Sequence, residues 1–150
     1  MSPQPHLLPT AALGAALLRI SLGVMYLAHS VVLKLLTFGL AGTAGYFESI
    51  GLPGWLAYAT FAAEAVGGVL LVLGVQARWV ALGLIPALVG AIVWVHVGNG
   101  WVFTAPGGGW EYPLFLIVAS VALALIGDGG FAVSPSRPLS AGHAPARLAA

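Results

Sequence analysis

No cysteine occurs anywhere in the 150 residues. The chain therefore makes no disulfide, holds no metal through thiolate and runs no thiol exchange, and any redox role must take its electrons from a cofactor or partner. Charge is nearly as scarce: Asp, Glu, Lys and Arg make up 6% of the residues, against roughly 25% in a soluble globular domain. The net charge of +1 has no basic run behind it, which excludes a nucleic-acid surface. Met1 to Thr10 holds three prolines and no Lys or Arg. It lacks the basic start of a secretory signal, so the first apolar stretch is expected to remain as a span.

What the chain does have is apolar surface, with 60% hydrophobic residues and a mean hydropathy of +1.02. Four stretches approach the ~20 residues that a helix needs to cross a hydrocarbon layer about 30 Å thick. They run at about Ala11 to Leu36, Gly54 to Val75, Trp79 to Val97 and Tyr112 to Gly127, the last being short. None alternates as a barrel strand would. The expected fold class is all-α, a membrane-embedded antiparallel four-helix bundle over residues 11–128. Residues 1–10 form an N-terminal tail, and 129–150, with Pro135, Pro138 and Pro145, a flexible C-terminal tail dispensable for the core. The connection Gln76 to Arg78 forces a hairpin, Thr37 to Pro53 reads as an interfacial loop with a short amphipathic turn, and Gly107 to Gly109 loosens the loop before Glu111. Pro86 is expected to bend the third span and free the carbonyl near Leu82. Arg78, Arg137 and Arg147 fall on the terminal side against Lys34 opposite, so both termini are expected to face the cytoplasm across an inner membrane.

The few charges inside the spans need partners. Arg19 lies eight residues past Ala11, about 12 Å deep by helical rise, and Glu64 sits near the middle of the second span, where a charge costs ~3 kcal/mol on insertion scales. These two are expected to form a buried polar pair. Gly67 and Gly68, one turn away, permit close helix approach. Arg19, Gly23, Tyr26, Ser30 and Lys34 form one stripe of the first helix, which must face protein or water. His29 and His96 are each 18 residues past the start of an outward-running helix, counted from Ala11 and Arg78, and Glu111 opens the fourth span at the same level. A ligand-binding cluster of His29, Lys34, His96, Glu111 and Trp110 is therefore expected at the outer face, roofed also by Trp94 and Trp101. The spacing carries no local metal signature, so no metal is assigned.

Several segments together resemble the DoxX family of bacterial four-helix membrane proteins. They are LLRISLGVMYLAHSVVLKL at Leu17 to Leu35, FAAEAVGGVLLVLGVQARW at Phe61 to Trp79, VHVGNGWVF at Val95 to Phe103, GGGWEYPLFL at Gly107 to Leu116 and IGDGGFAVS at Ile126 to Ser134. The resemblance covers about residues 13–134 and places Arg19, His29, Lys34, Glu64, Arg78, His96, Glu111 and Asp128 on the family's recurring polar positions. It implies a membrane subunit of a redox complex, since relatives include subunits of a thiosulfate:quinone oxidoreductase and partners of oxidative-stress enzymes. Fold transfers along such a likeness better than activity does. The leading expectation is a quinone-associated redox membrane subunit, the quinone supplying chemistry that a cysteine-free chain lacks. The alternative is a non-catalytic anchor for a soluble enzyme, or a small-molecule carrier. The lipid bilayer is the expected partner, with a soluble redox enzyme, a quinone and self-association left open.

Overall fold

The computed structural model describes residues 9–139, and within them every regular element is helical. α1 (Thr10–Leu27) continues unbroken through wide π turns at Ala28–Thr37. α2 (Leu40–Ser49) follows, then α3 (Trp55–Leu73) and α4 (Ala77–Gly90). α4 also widens into π turns, at Ala91–His96, before a last tight turn at Val97–Asn99. α5 spans Glu111–Ile126. Three of the continuous helices, Thr10–Thr37, Trp55–Leu73 and Ala77–Asn99, are long and apolar enough to cross a membrane, whereas α5 has 16 residues.

The helices meet in a fixed set of pairs: α1 packs on α3 and α5, α4 on α3 and α5, and α2 on α3. Leu22, Tyr26, Leu71, Leu84, Leu116 and Leu123 fill the centre. Side chains such as Leu17, Leu36, Phe115 and Leu125 point outward, as lipid-facing positions do. In lipid, helix association rests on close packing rather than on a hydrophobic drive, and the contact of α1 with α3 is built that way. A Cβ placed on Gly23 would lie 2.8 Å from the Gly68 carbonyl oxygen, and one on Gly68 would lie 3.0 Å from that of Gly23. Backbone meets backbone there.

Gly74 closes α3 in a left-handed conformation (φ 72°), with its N–H donating to Leu71 and that of Val75 to Leu70, the usual glycine stop that satisfies orphan carbonyls. It also sits against Arg19, because a Cβ there would fall 2.5 Å from a guanidinium nitrogen. Only glycine meets both demands.

Where a loose tail is expected, residues 129–136 are tied to the helices. The Gly130 N–H donates to the Ala12 carbonyl, Val133 to Leu73, Ser134 to Gly74, and Gln76 in return to Ser134. Asp128 Oδ2 accepts from the Ala77 N–H at 3.0 Å, capping α4, and from the Ser136 backbone N–H at 2.8 Å. Composition alone suggests disorder for a Pro- and Ser-rich stretch. Here it is held because it satisfies the C-terminal end of α3 and the N-terminal end of α4, which otherwise leave backbone groups unpaired, and bonds to the first turn of α1. Pro145 and Arg147, like residues 1–8, lie outside the described residues. The expected amphipathic turn in the first loop is α2, and Pro86 lies inside α4, which runs through it.

Candidate functional site

Two polar regions occupy opposite ends of the helices. The first centres on Arg19, which is fully buried. Its Nη1 donates to the carbonyls of Leu71 (2.6 Å) and Val72 (2.9 Å), its Nε to that of Asp128 (2.9 Å) and its Nη2 to that of Gly130 (3.1 Å). Arg78 donates from Nη1 to the Ala124 carbonyl nearby. The guanidinium fork thus ties α1 to the last turn of α3 and to the segment after α5.

This arrangement overturns the expected Arg19–Glu64 pair. Glu64 is instead clasped by Lys34, whose Nζ lies 2.6 Å from both carboxylate oxygens, with the two side chains 19% and 11% exposed. The physical reason is register. Leu71 and Glu64 are seven residues apart, about 10 Å along the helix. Arg19 lies beside the end of α3, where free carbonyls suit a five-donor group. Lys34, on the same stripe of the first helix, comes level with Glu64. The rest of the stripe turns inward as the pattern demands, with Gly23, Tyr26 and Ser30 all buried.

At the opposite end an open cavity of about 880 Å³ is lined by His29, His96, Glu111 and Tyr112, by Trp101 and Phe103 of the loop, and by Phe115 and Val118 along α5. His29 and His96 both ride on the π turns, a rare geometry that is frequent at functional sites. The His29 Nδ1 lies 3.1 Å from the Met25 carbonyl oxygen, and the His96 Nδ1 lies 2.9 Å from that of Gly108. Asn99 donates to the same Gly108 oxygen at 2.9 Å. Glu111 Oε1 accepts from the Phe103 N–H at 2.8 Å, while the N–H groups of Gly109 and Glu111 donate to Val102 and Trp101. The loop is therefore pinned to α4 and α5 by side chains that also line the cavity.

Of the residues expected to share a ligand site, His29, His96 and Glu111 come together on this cavity. Lys34 does not, being held by Glu64. Trp110 is not on the wall either: its ring meets Trp101 edge-on, centroids 4.4 Å apart, and Trp101 takes the cavity face. Trp94 is half exposed and lines nothing here. Sequence reasoning missed Tyr112, whose ring lies 6.2 Å from that of His29 at an interplanar angle of 27°. Its place next to Glu111 at the first turn of α5 was the available signal. Among the described residues no three His, Asp or Glu side chains are grouped to hold a metal ion.

The family model described as DoxX matches residues 14–97. A curated relative named "Putative oxidoreductase CatD", from Bacillus subtilis (strain 168), is 35% identical over 124 residues, covering 82% of this chain and 86% of that protein. No solved structure matches the chain.

Proposed function

Because the chain belongs to the DoxX family of membrane proteins, we propose that it serves as the membrane subunit of an oxidoreductase and holds the headgroup of a quinone-type ring between His29, His96 and Glu111. The observation that carries this reading is that one cavity combines a few polar side chains with an apolar wall. His29, His96 and Glu111 line it together with Phe103, Phe115 and Val118, each of these three more than half exposed. A ligand with a polar ring and an apolar tail enters such a site sideways from the bilayer, and a pocket that is mostly apolar with a few polar groups fixes the ring's orientation. The name of the Bacillus relative agrees with a redox role. Titrating a short-chain quinol, kept oxygen-free, against wild type, His29→Ala and His96→Ala in detergent, followed by tryptophan fluorescence, tests it. Each substitution is expected to weaken binding by about threefold to tenfold, the effect of one lost hydrogen bond. Binding unchanged in both variants overturns the proposal.

The architecture behind this site is an antiparallel four-span bundle with both ends in the cytoplasm. Two register marks support it: Arg19 meets Leu71 and Val72, whereas Lys34 meets Glu64, so numbering rises along α1 as it falls along α3. Arg78 near the start of α4 reaches Ala124 near the end of α5, which gives the second pair the same opposed sense. α5, at 16 residues, reaches only about 24 Å and crosses with local thinning of the bilayer. The positive charges Arg78 and Arg137 share one end, which supports that end as the inner one. A reporter fused at the C-terminus is expected to stay inaccessible in intact spheroplasts, and labelling from outside would reverse the orientation.

A further inference from the structure

We infer that the cavity selects the reduced, hydroxyl-bearing form of its ring ligand, a quinol, over the oxidised quinone. The inference rests on the headgroup reading above and sharpens it. A backbone carbonyl only accepts, so the Nδ1 of His29 facing the Met25 oxygen and the Nδ1 of His96 facing the Gly108 oxygen must each carry the ring hydrogen. A neutral imidazole so bonded keeps its second nitrogen bare, as an acceptor. Neither Nε2 has a protein partner among the described residues. Glu111 adds a third acceptor, because only its Oε1 is engaged, by the Phe103 N–H.

The donors on the wall are fewer. The Gly108 and Gly109 N–H groups donate to Ala105 and Val102, and that of Phe103 to Glu111. The Tyr112 hydroxyl, which plays either part, and the Trp101 indole remain. A quinone offers two carbonyl oxygens and no hydrogen, so it can pair only with the Tyr112 hydroxyl and the Trp101 indole and leaves both imidazole nitrogens and the free Glu111 oxygen without a donor. A quinol offers two O–H groups to three waiting acceptors. Leaving an acceptor unpaired is the costly outcome, and the oxidised ring leaves three of these acceptors unmatched where the quinol leaves one.

The test measures three probes on the full chain in detergent, in mildly alkaline, oxygen-free buffer: a short-chain ubiquinol, the matching ubiquinone and the dimethyl ether of the quinol. Wild type is expected to bind the quinol about tenfold or more tightly than either other probe. Glu111→Gln keeps an oxygen for the Phe103 N–H but replaces the free carboxylate oxygen with an amide donor, so the quinol-to-quinone ratio should fall by about tenfold. His29→Phe keeps a flat ring without the acceptor and should weaken the quinol about threefold to tenfold while sparing the quinone. Quinone or ether bound as tightly as quinol by wild type overturns the inference and leaves the headgroup reading standing. Absence of binding by all three removes both. The wild-type comparison decides the matter even if a variant fails to fold.

Discussion

Arg19→Ala is expected to unfold the bundle at temperatures where the wild type is intact. The substitution strands three carbonyls, those of Val72, Asp128 and Gly130, and takes from the Leu71 carbonyl its second donor. A buried acceptor left unpaired costs about 1–3 kcal/mol, so the summed loss is several kcal/mol, a large part of a stability of ~5–15 kcal/mol. Arg19→Lys should recover only a fraction, since an ammonium is a compact group with three donors and cannot span acceptors from separate segments as a planar fork does. Thermal unfolding in detergent, followed by circular dichroism, gives the order wild type, lysine, alanine. An alanine variant as stable as wild type would show that the carbonyls find other donors.

The ion pair of Lys34 with Glu64 comes next in expected effect. Lys34→Met leaves a lone carboxylate and Glu64→Leu a lone ammonium, each partly enclosed. Breaking a fully buried pair costs about 3–5 kcal/mol. With side chains 19% and 11% exposed, roughly 2 kcal/mol per single change is the reasonable figure. The double variant should lose less than the sum, with a coupling of about 1–2 kcal/mol. The same cycle drawn on Arg19 and Glu64 is expected to be additive within about 0.5 kcal/mol. Coupling in that second cycle instead of the first would contradict the observed pairing.

That contrast marks where the sequence could be read and where it could not. The apolar runs located the long helices because a bilayer demands ~20 residues without charge, and the inward stripe from Arg19 to Lys34 followed from helical periodicity. Partnership was another matter. Arg19 and Glu64 are opposite charges at comparable depth, but depth counted from estimated span ends carries an error of a turn or more, enough to exchange one cation for another. Arg19 also chose carbonyls, and carbonyls are invisible in a sequence because every residue has one. The hold on residues 129–136 was hidden for a related reason: composition describes what a segment is made of, not which unpaired helix ends wait beside it. His29, His96 and Glu111 were legible as residues of one level because helical rise is regular. The π turns beneath both histidines left no mark in the pattern, and neither did the Nδ1 bonds that settle which nitrogen stays bare.

The bonds of Arg19 also impose an order on biogenesis. Two of its acceptors, Asp128 and Gly130, lie 109 and 111 residues downstream. When α1 leaves the translocon, most of the chain has yet to be made, and its guanidinium must wait in or near the bilayer at a cost of ~3 kcal/mol. The first span is thus a provisional insertion. The lock closes fully only after α5 has followed and the ribosome has delivered the residues beyond it, so a chain stalled before Asp128 presents quality-control proteases with an arginine that has only its Leu71 and Val72 acceptors.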